Sequence, residues 1–330
     1  MSDTRGVDGR SGHGDDAPDA PVDRAPGDLL LEETGRYGEV LRPDWASVVR
    51  RVPHPLDGTR CYVAPTPESV ADEPTVILLH GVGNDGGTFA PILPVLAERR
   101  PVVAPTLRPK HLVPGDDPAD NVAPLVGFLT ALAPPPWHIV GHSMGGVIAG
   151  LLMRARPDLV AGTVLINSPL PGVTRRIRDG DTFDRTGRAL IMLKALAQIS
   201  AFGRPRLPRI VRPAEMLVVR NALRGFVRHP GELDASIIEG AVTSTRTRDG
   251  DRFLRLARDL PAWESDPFVA SPVHIVLGAD DPLVPADDVE LVAAAYPEAT
   301  IEVLGGCAHF AHLEWPRAIV DTIDDAITSW

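Results

Sequence analysis

The sequence contains few cysteines and no long apolar run. Only Cys61 and Cys307 occur among 330 residues, so the chain is not a disulfide scaffold, and we expect free thiols. No run of about 18 apolar residues occurs, so we expect no membrane span. The formal net charge of -11 argues against nucleic acid as a main partner. A chain of this length with 44% hydrophobic residues can bury a sizeable core.

The N-terminal segment has almost no large apolar side chain. Residues 1–28 are mainly Asp, Gly, Pro and Arg, and such a segment cannot bury enough surface to offset its ordering entropy. We therefore expect residues 1–28 to be a disordered tail. The same stretch lacks the basic-then-apolar pattern of a secretion signal, so we expect a cytoplasmic protein.

Strand and helix patterns alternate between residues 75 and 167. The strands are apolar runs, as expected for strands that are buried on both faces of a sheet. Helical spacing lies between them, for example at 122–133. This alternation predicts an α/β fold with a doubly wound, mainly parallel sheet. The predicted strands are 60–64, 75–79, 101–105, 137–140, 162–167, 274–277 and 300–304.

The alternation stops after residue 168, and strands resume only near residue 274. Between these positions the pattern is helical, so we predict a helical cap at 169–262 that is inserted before the last strands. The core is then formed by residues 29–168 and 263–330. The best helix candidates within the cap are 190–199, 215–227 and 253–260.

The most informative stretch joins a predicted strand to the helical pattern that follows it. It reads Gly141-His142-Ser143-Met144-Gly145, a Gly-x-Ser-x-Gly sequence typical of a nucleophile elbow. Such a turn forces the serine into a strained backbone conformation and lifts its hydroxyl clear of the sheet. The two glycines are needed because a Cβ there would collide with the neighbouring strand or helix.

Three further loops follow predicted strands and carry polar groups. Catalytic groups collect at the carboxyl ends of the strands in an open parallel sheet. The backbone amide of Val82 follows one strand, Asp281 follows another, and His309 follows the last. A serine hydroxyl becomes a nucleophile when a histidine takes its proton and a carboxylate orients that histidine. The chain order Ser143, Asp281, His309 is the one expected for a triad on such a sheet.

These residues resemble the α/β-hydrolase fold superfamily. The resemblance implies that Ser143 is the nucleophile, Asp281 the acid and His309 the base, and that the amides of Val82 and Met144 hold the oxyanion. It also implies a serine hydrolase that cleaves an ester, thioester or related acyl bond of a small molecule through an acyl-enzyme. The matching pieces are His80-Gly81, Gly141 to Gly145, Gly278-x-x-Asp281 with Val284-Pro285, and His309 followed by Glu314 and Pro316.

Several neighbouring residues offer alternative roles. Asp280 is adjacent to Asp281 and could supply the carboxylate, and Cys307 could be read as a nucleophile, although no second base accompanies it. We expect His80 to orient the oxyanion loop and His312 to pack beside a helix start. The sequence has no zinc spacing, phosphate-binding loop or dinucleotide fingerprint, so we expect neither a metal nor a cofactor.

Two other functions use the same fold. The triad could serve a lyase, C–C hydrolase, cyclase or acyl transferase of small-molecule metabolism, or the chain could be a non-catalytic ligand-binding protein. The intact serine, aspartate and histidine argue against a pure binder. The predicted cap is rich in arginine, including Arg175, Arg176 and Arg178. These charges either form a solvated surface or attract an anionic or carrier-linked substrate.

Overall fold

The centre of the protein is one eight-stranded sheet. A computed structural model describes residues 35–113, 118–169, 225–238, 271–284, 286 and 289–330. The strands are β1 (Arg50–Pro53), β2 (Arg60–Val63), β3 (Val76–Leu79), β4 (Val102–Pro105), β5 (Trp137–His142), β6 (Val160–Ile166), β7 (Val273–Gly278) and β8 (Thr300–Leu304).

The sheet is parallel except at one edge. Its strand order is β1-β2-β4-β3-β5-β6-β7-β8, and β2 runs antiparallel to both of its neighbours. All other paired strands are parallel. Every residue of β3, β4 and β5 is buried, because helices cover both faces of a parallel sheet. The predicted α/β fold with a mainly parallel sheet is confirmed.

Helices pack on both faces of the sheet and form two apolar cores. The core on one face includes Val122 and Leu125 of α3 and Ile148 of α4. The core on the other face includes Leu93 of α2 and Ile319 of α7. Among the residues that the structure describes, the α-helices are α1 (Trp45–Val48), α2 (Leu93–Arg99), α3 (Pro118–Thr130), α4 (Met144–Ala155), α5 (Val289–Ala295), α6 (Ala311–Glu314) and α7 (Pro316–Ser329).

The structure describes one segment, 225–238, within the region predicted to be the cap. Phe226 and Leu233 of this segment form a third apolar cluster with Phe310 and Leu313, so the segment packs beside the loop that follows β8. Residues 225 and 226 lie in a turn and not at the end of a helix.

The rest of the predicted cap stays a prediction. Its helix candidates at 190–199 and 253–260 lie outside the described residues, and so do most of 215–227 and the predicted tail at 1–28. In the ranges that the structure does describe, no helix is long and apolar enough to cross a membrane.

Candidate active site

The turn between β5 and α4 has the strained geometry that the sequence predicts. Ser143 has φ 53° and ψ -122°, a region that residues other than glycine rarely adopt. A Cβ on Gly145 would lie 2.0 Å from the carbonyl oxygen of Leu79 in β3, and one on Gly141 would lie 2.5 Å from the Cα of Gly146. Both positions therefore exclude larger side chains, and the turn holds Ser143 at the N-terminus of α4.

Ser143, His309 and Asp281 form a continuous hydrogen-bonded chain. The Oγ of Ser143 lies 3.0 Å from Nε2 of His309, and Nδ1 of His309 lies 2.8 Å from Oδ2 of Asp281. All three residues are buried. Because Nδ1 faces a carboxylate, which accepts hydrogen bonds, Nδ1 carries the proton and Nε2 accepts from the serine hydroxyl. The imidazole is thus in the tautomer that can take a proton from the serine.

The two adjacent carboxylates after β7 have different partners. Asp281 is buried, and its second oxygen, Oδ1, accepts hydrogen bonds from the amides of Leu283 at 2.7 Å and Val284 at 3.2 Å. The carboxylate of Asp280 is partly exposed and lies 2.8 Å from the guanidinium of Arg228. The structure therefore brings Asp281, and not Asp280, to the imidazole.

The loop after β3 passes beside the serine. A Cβ on Gly81 would lie 3.1 Å from the Cβ of Ser143, and Val82 is the next residue. In the part of the chain that the structure describes, the amide nitrogens of Val82 and Met144 donate to no backbone carbonyl. Among these described residues, both N–H groups are free of a backbone acceptor at this end of the sheet.

His80 and Asp85 fix the loop after β3 from inside the protein. Nε2 of His80 accepts a hydrogen bond from the amide of Leu107 at 2.9 Å, so Nδ1 donates to the carbonyl of Gly81 at 2.8 Å. Burial lowers the pKa of His80 to about 4, which keeps it neutral at neutral pH. The carboxylate of Asp85 accepts from the hydroxyl of Tyr62 in β2 at 3.0 Å. These contacts hold the start of the loop, and the orienting role of His80 stays a prediction.

Cys307 and His312 are buried side chains near the candidate site. Burial raises the pKa of the Cys307 thiol well above its usual range, so the reactive thiolate does not form at neutral pH. Nε2 of His312 lies 3.0 Å from Oγ1 of Thr88, and burial lowers the pKa of His312 to about 3. Both side chains are therefore uncharged parts of the packing. Within the described ranges, no group of three or more His, Cys, Asp or Glu residues is placed to hold a metal ion.

Asn167 contacts the site, and sequence reasoning missed it. It follows β6, is fully buried and has φ 45°. Its Nδ2 donates to the carbonyl oxygens of Ala308 at 2.7 Å and His309 at 3.0 Å. Asparagine tolerates a positive φ better than most residues, which is a weak signal in a sequence. The contact with Ala308 joins positions 141 residues apart, so no local pattern reveals it.

Comparison with known proteins identifies similar chains. The model of the Alpha/beta hydrolase family matches residues 76–322. An uncharacterised protein of Mycobacterium tuberculosis (strain ATCC 25618 / H37Rv) is 26% identical over 269 residues, which cover 76% of this chain and 74% of that protein. The pimeloyl-[acyl-carrier protein] methyl ester esterase of Aeromonas hydrophila subsp. hydrophila is 24% identical over 276 residues, which cover 78% of this chain and 96% of that protein. The solved structure of 2-hydroxy-6-oxo-6-phenylhexa-2,4-dienoate hydrolase from Rhodococcus sp. strain RHA1 gives a TM-score of 0.57 at 21% identity. The match covers 85% of this chain and 98% of that chain.

Proposed function

The chain belongs to the alpha/beta hydrolase family, and from this premise we propose that it is a serine hydrolase. Its substrate is an ester, thioester or related acyl compound of small size, and the reaction passes through an acyl-enzyme. The observation that carries the proposal is the hydrogen-bonded chain from Ser143 through His309 to Asp281. In this hydrogen-bonded series each side chain has the partner that its chemical role requires.

In the proposed mechanism, His309 makes Ser143 nucleophilic at neutral pH. Nε2 accepts the hydroxyl proton as Oγ attacks the substrate carbonyl carbon, and it returns that proton to the leaving group when the tetrahedral intermediate collapses. The imidazolium that forms in between lies against the carboxylate of Asp281, which stabilises its charge and holds the ring. Water then attacks the acyl-enzyme with the same proton transfers and releases the acid.

The oxyanion of the tetrahedral intermediate is assigned to the amides of Val82 and Met144. Two observations support this assignment. Both N–H groups lack a backbone acceptor among the described residues, and both belong to the loops that meet at Ser143. Each such donor contributes on the order of 3 kcal/mol to transition-state stabilisation. Met144 is also the first residue of α4, and the positive end of a helix dipole favours the same negative charge.

The relatives support an ester as the first substrate class to test. The Aeromonas relative is named a methyl ester esterase with a carrier-linked acyl group. The excess of arginine between residues 169 and 262 favours an acyl group of the same kind, one that carries a carboxylate, a phosphate or a carrier. We therefore propose an anionic or carrier-linked ester as the preferred substrate.

Hydrolysis of p-nitrophenyl esters and acyl-thioesters tests the proposed function. The wild-type protein should hydrolyse at least one series, and Ser143→Ala should lose at least about a thousandfold in kcat while it folds normally. Ser47→Ala, at an exposed serine of α1, is the matched control and should keep full activity. Retention of most activity by Ser143→Ala would exclude the acyl-enzyme. Products of a lyase, C–C hydrolase, cyclase or acyl transferase reaction would assign the triad to that chemistry.

Salt dependence tests the charge of the substrate. Attraction between exposed charges is screened over about 8 Å at physiological salt. For an anionic ester, kcat/KM should fall as salt rises from about 20 to 500 mM, while kcat stays nearly constant. A neutral ester of similar size is the control, and an equal response of both esters would contradict a role of the arginines in substrate attraction.

A further inference from the structure

The backbone of His309 is held by three other parts of the chain. Its amide donates to the carbonyl oxygen of Phe226 at 2.9 Å. Its carbonyl oxygen accepts from Nε2 of His142 at 2.8 Å and from Nδ2 of Asn167 at 3.0 Å. Both polar groups of the His309 backbone are therefore fixed, and the carbonyl oxygen uses two donors.

The backbone of the preceding residue, Ala308, is held in the same way. The amide of Ala308 donates to the carboxylate of Glu314, at 3.1 Å from Oε1 and 3.2 Å from Oε2. The carbonyl oxygen of Ala308 accepts from Nδ2 of Asn167 at 2.7 Å. Glu314 and Asn167 thus hold the residue before His309 from its amide side and from its carbonyl side.

The environment of Glu314 is unusual for a carboxylate. Its side chain is fully buried, and it also accepts hydrogen bonds from the amide of Arg228 at 2.8 Å and from the hydroxyl of Tyr37 at 3.1 Å. No Lys, Arg or His in the described part of the chain forms an ion pair with it, and burial raises its pKa to about 7. A buried carboxylate is costly unless it is hydrogen-bonded. Here the donors come from three segments, and one of them carries His309.

Asn167 connects the loop of the base with the strand that leads to the acid. Besides donating to the loop of His309, its Oδ1 accepts from the amide of Gly278 at 2.6 Å. Gly278 ends β7, three residues before Asp281. An amide side chain both donates and accepts, so one residue fixes both loops. Aspartate has the same shape but lacks the donors.

We propose that Glu314 and Asn167 are positioning residues that hold the His309 imidazole in line between Ser143 and Asp281. This inference rests on the proposed function, because it assigns His309 the role of the base. Neither residue takes part in bond making. They act through the backbone at Ala308 and, for Asn167, also at His309, and a displacement of about 1 Å at a catalytic group can lower a rate about a hundredfold.

Isosteric variants test the two residues separately. Glu314→Gln and Asn167→Asp should each lower kcat on an activated ester by about 10- to 100-fold, with KM within about threefold of the wild-type value. The assay is run at about pH 8, where Glu314 is ionised. The matched control is Glu302→Gln, because Glu302 is a partly buried carboxylate of β8 that accepts from the hydroxyl of Thr322. This control should keep the wild-type kcat.

A spectroscopic measurement separates positioning from a merely structural role. The proton between His309 and Asp281 should give a low-field NMR resonance in the wild type, and this resonance should broaden or disappear in both variants. Each kcat is divided by the folded fraction measured by circular dichroism. If Glu314→Gln does not fold, the result for Asn167→Asp tests the proposal by itself. A kcat within about threefold of wild type, or an unchanged resonance, would overturn the proposal. Failure of the wild-type Ser143 to react with a fluorophosphonate would instead overturn the proposed function.

Discussion

Replacement of Ser143 by glycine should stabilise the protein relative to replacement by alanine. Both variants lose the hydroxyl and its hydrogen bond to His309, so their difference isolates the backbone. At φ 53° and ψ -122°, a residue with a Cβ carries strain of about 2 kcal/mol, which glycine does not. Glycine also lowers the free energy of unfolding by about 1 kcal/mol, because the unfolded chain has greater entropy. We therefore expect a net difference of about 1 kcal/mol in favour of Ser143→Gly.

Urea unfolding of the two variants, followed by circular dichroism, measures this difference. Ser143→Gly should have the higher midpoint at an equal m-value, and both variants should be inactive. The same pair at Ser47, in helix α1, provides the control and should show the opposite order by about 1 kcal/mol, because glycine is unfavourable in a helix. A midpoint of Ser143→Gly at or below that of Ser143→Ala would refute the inference of backbone strain at the elbow.

Three other outcomes are expected. Asp281→Asn should lower kcat by about 10⁴-fold, whereas Asp280→Asn should cost less than about tenfold; steady-state kinetics that reverse this order would move the acid by one residue. Gly145→Ala should lower the unfolding free energy by about 2 kcal/mol or more, because its Cβ would lie 2.0 Å from a backbone oxygen; an unchanged Tm would contradict this. Burial raises the pKa of Glu314 from 4.5 to about 7, so its contribution to stability is full below about pH 4.5 and is lost as pH rises to about 7. Relative to Glu314→Gln, the wild type should therefore lose about 3 kcal/mol between these pH values, and parallel pH–stability curves would show that this carboxyl does not titrate there.

Features that depend on local pattern could be predicted from the sequence. The apolar run 75–79 indicates a strand buried on both faces, and β3 is buried at every residue. The spacing of Gly141 and Gly145 around Ser143 indicates a turn in which both glycines approach backbone atoms closely, and both do. In each case the cause lies within a few residues of its effect.

Features that depend on contacts between distant segments could not be predicted. Strand β1 was missed because it begins with two exposed arginines, Arg50 and Arg51, and lies at the edge of the sheet, where only its pairing with β2 defines it. The family resemblance implies Asp281 as the acid, but the residues alone leave Asp280 open, because the difference lies in which carboxylate faces the imidazole and which faces Arg228. Such contacts are set by packing, which a single sequence does not display.

The site of covalent modification is the decisive measurement for the proposed acyl-enzyme. The wild-type protein is treated with a fluorophosphonate, digested and mapped by mass spectrometry. We predict a single adduct on the peptide that contains Ser143, no adduct in Ser143→Ala, and much slower labelling of His309→Ala. An adduct at another residue, or labelling of Ser143→Ala at the wild-type rate, would contradict the assignment of Ser143 as the nucleophile.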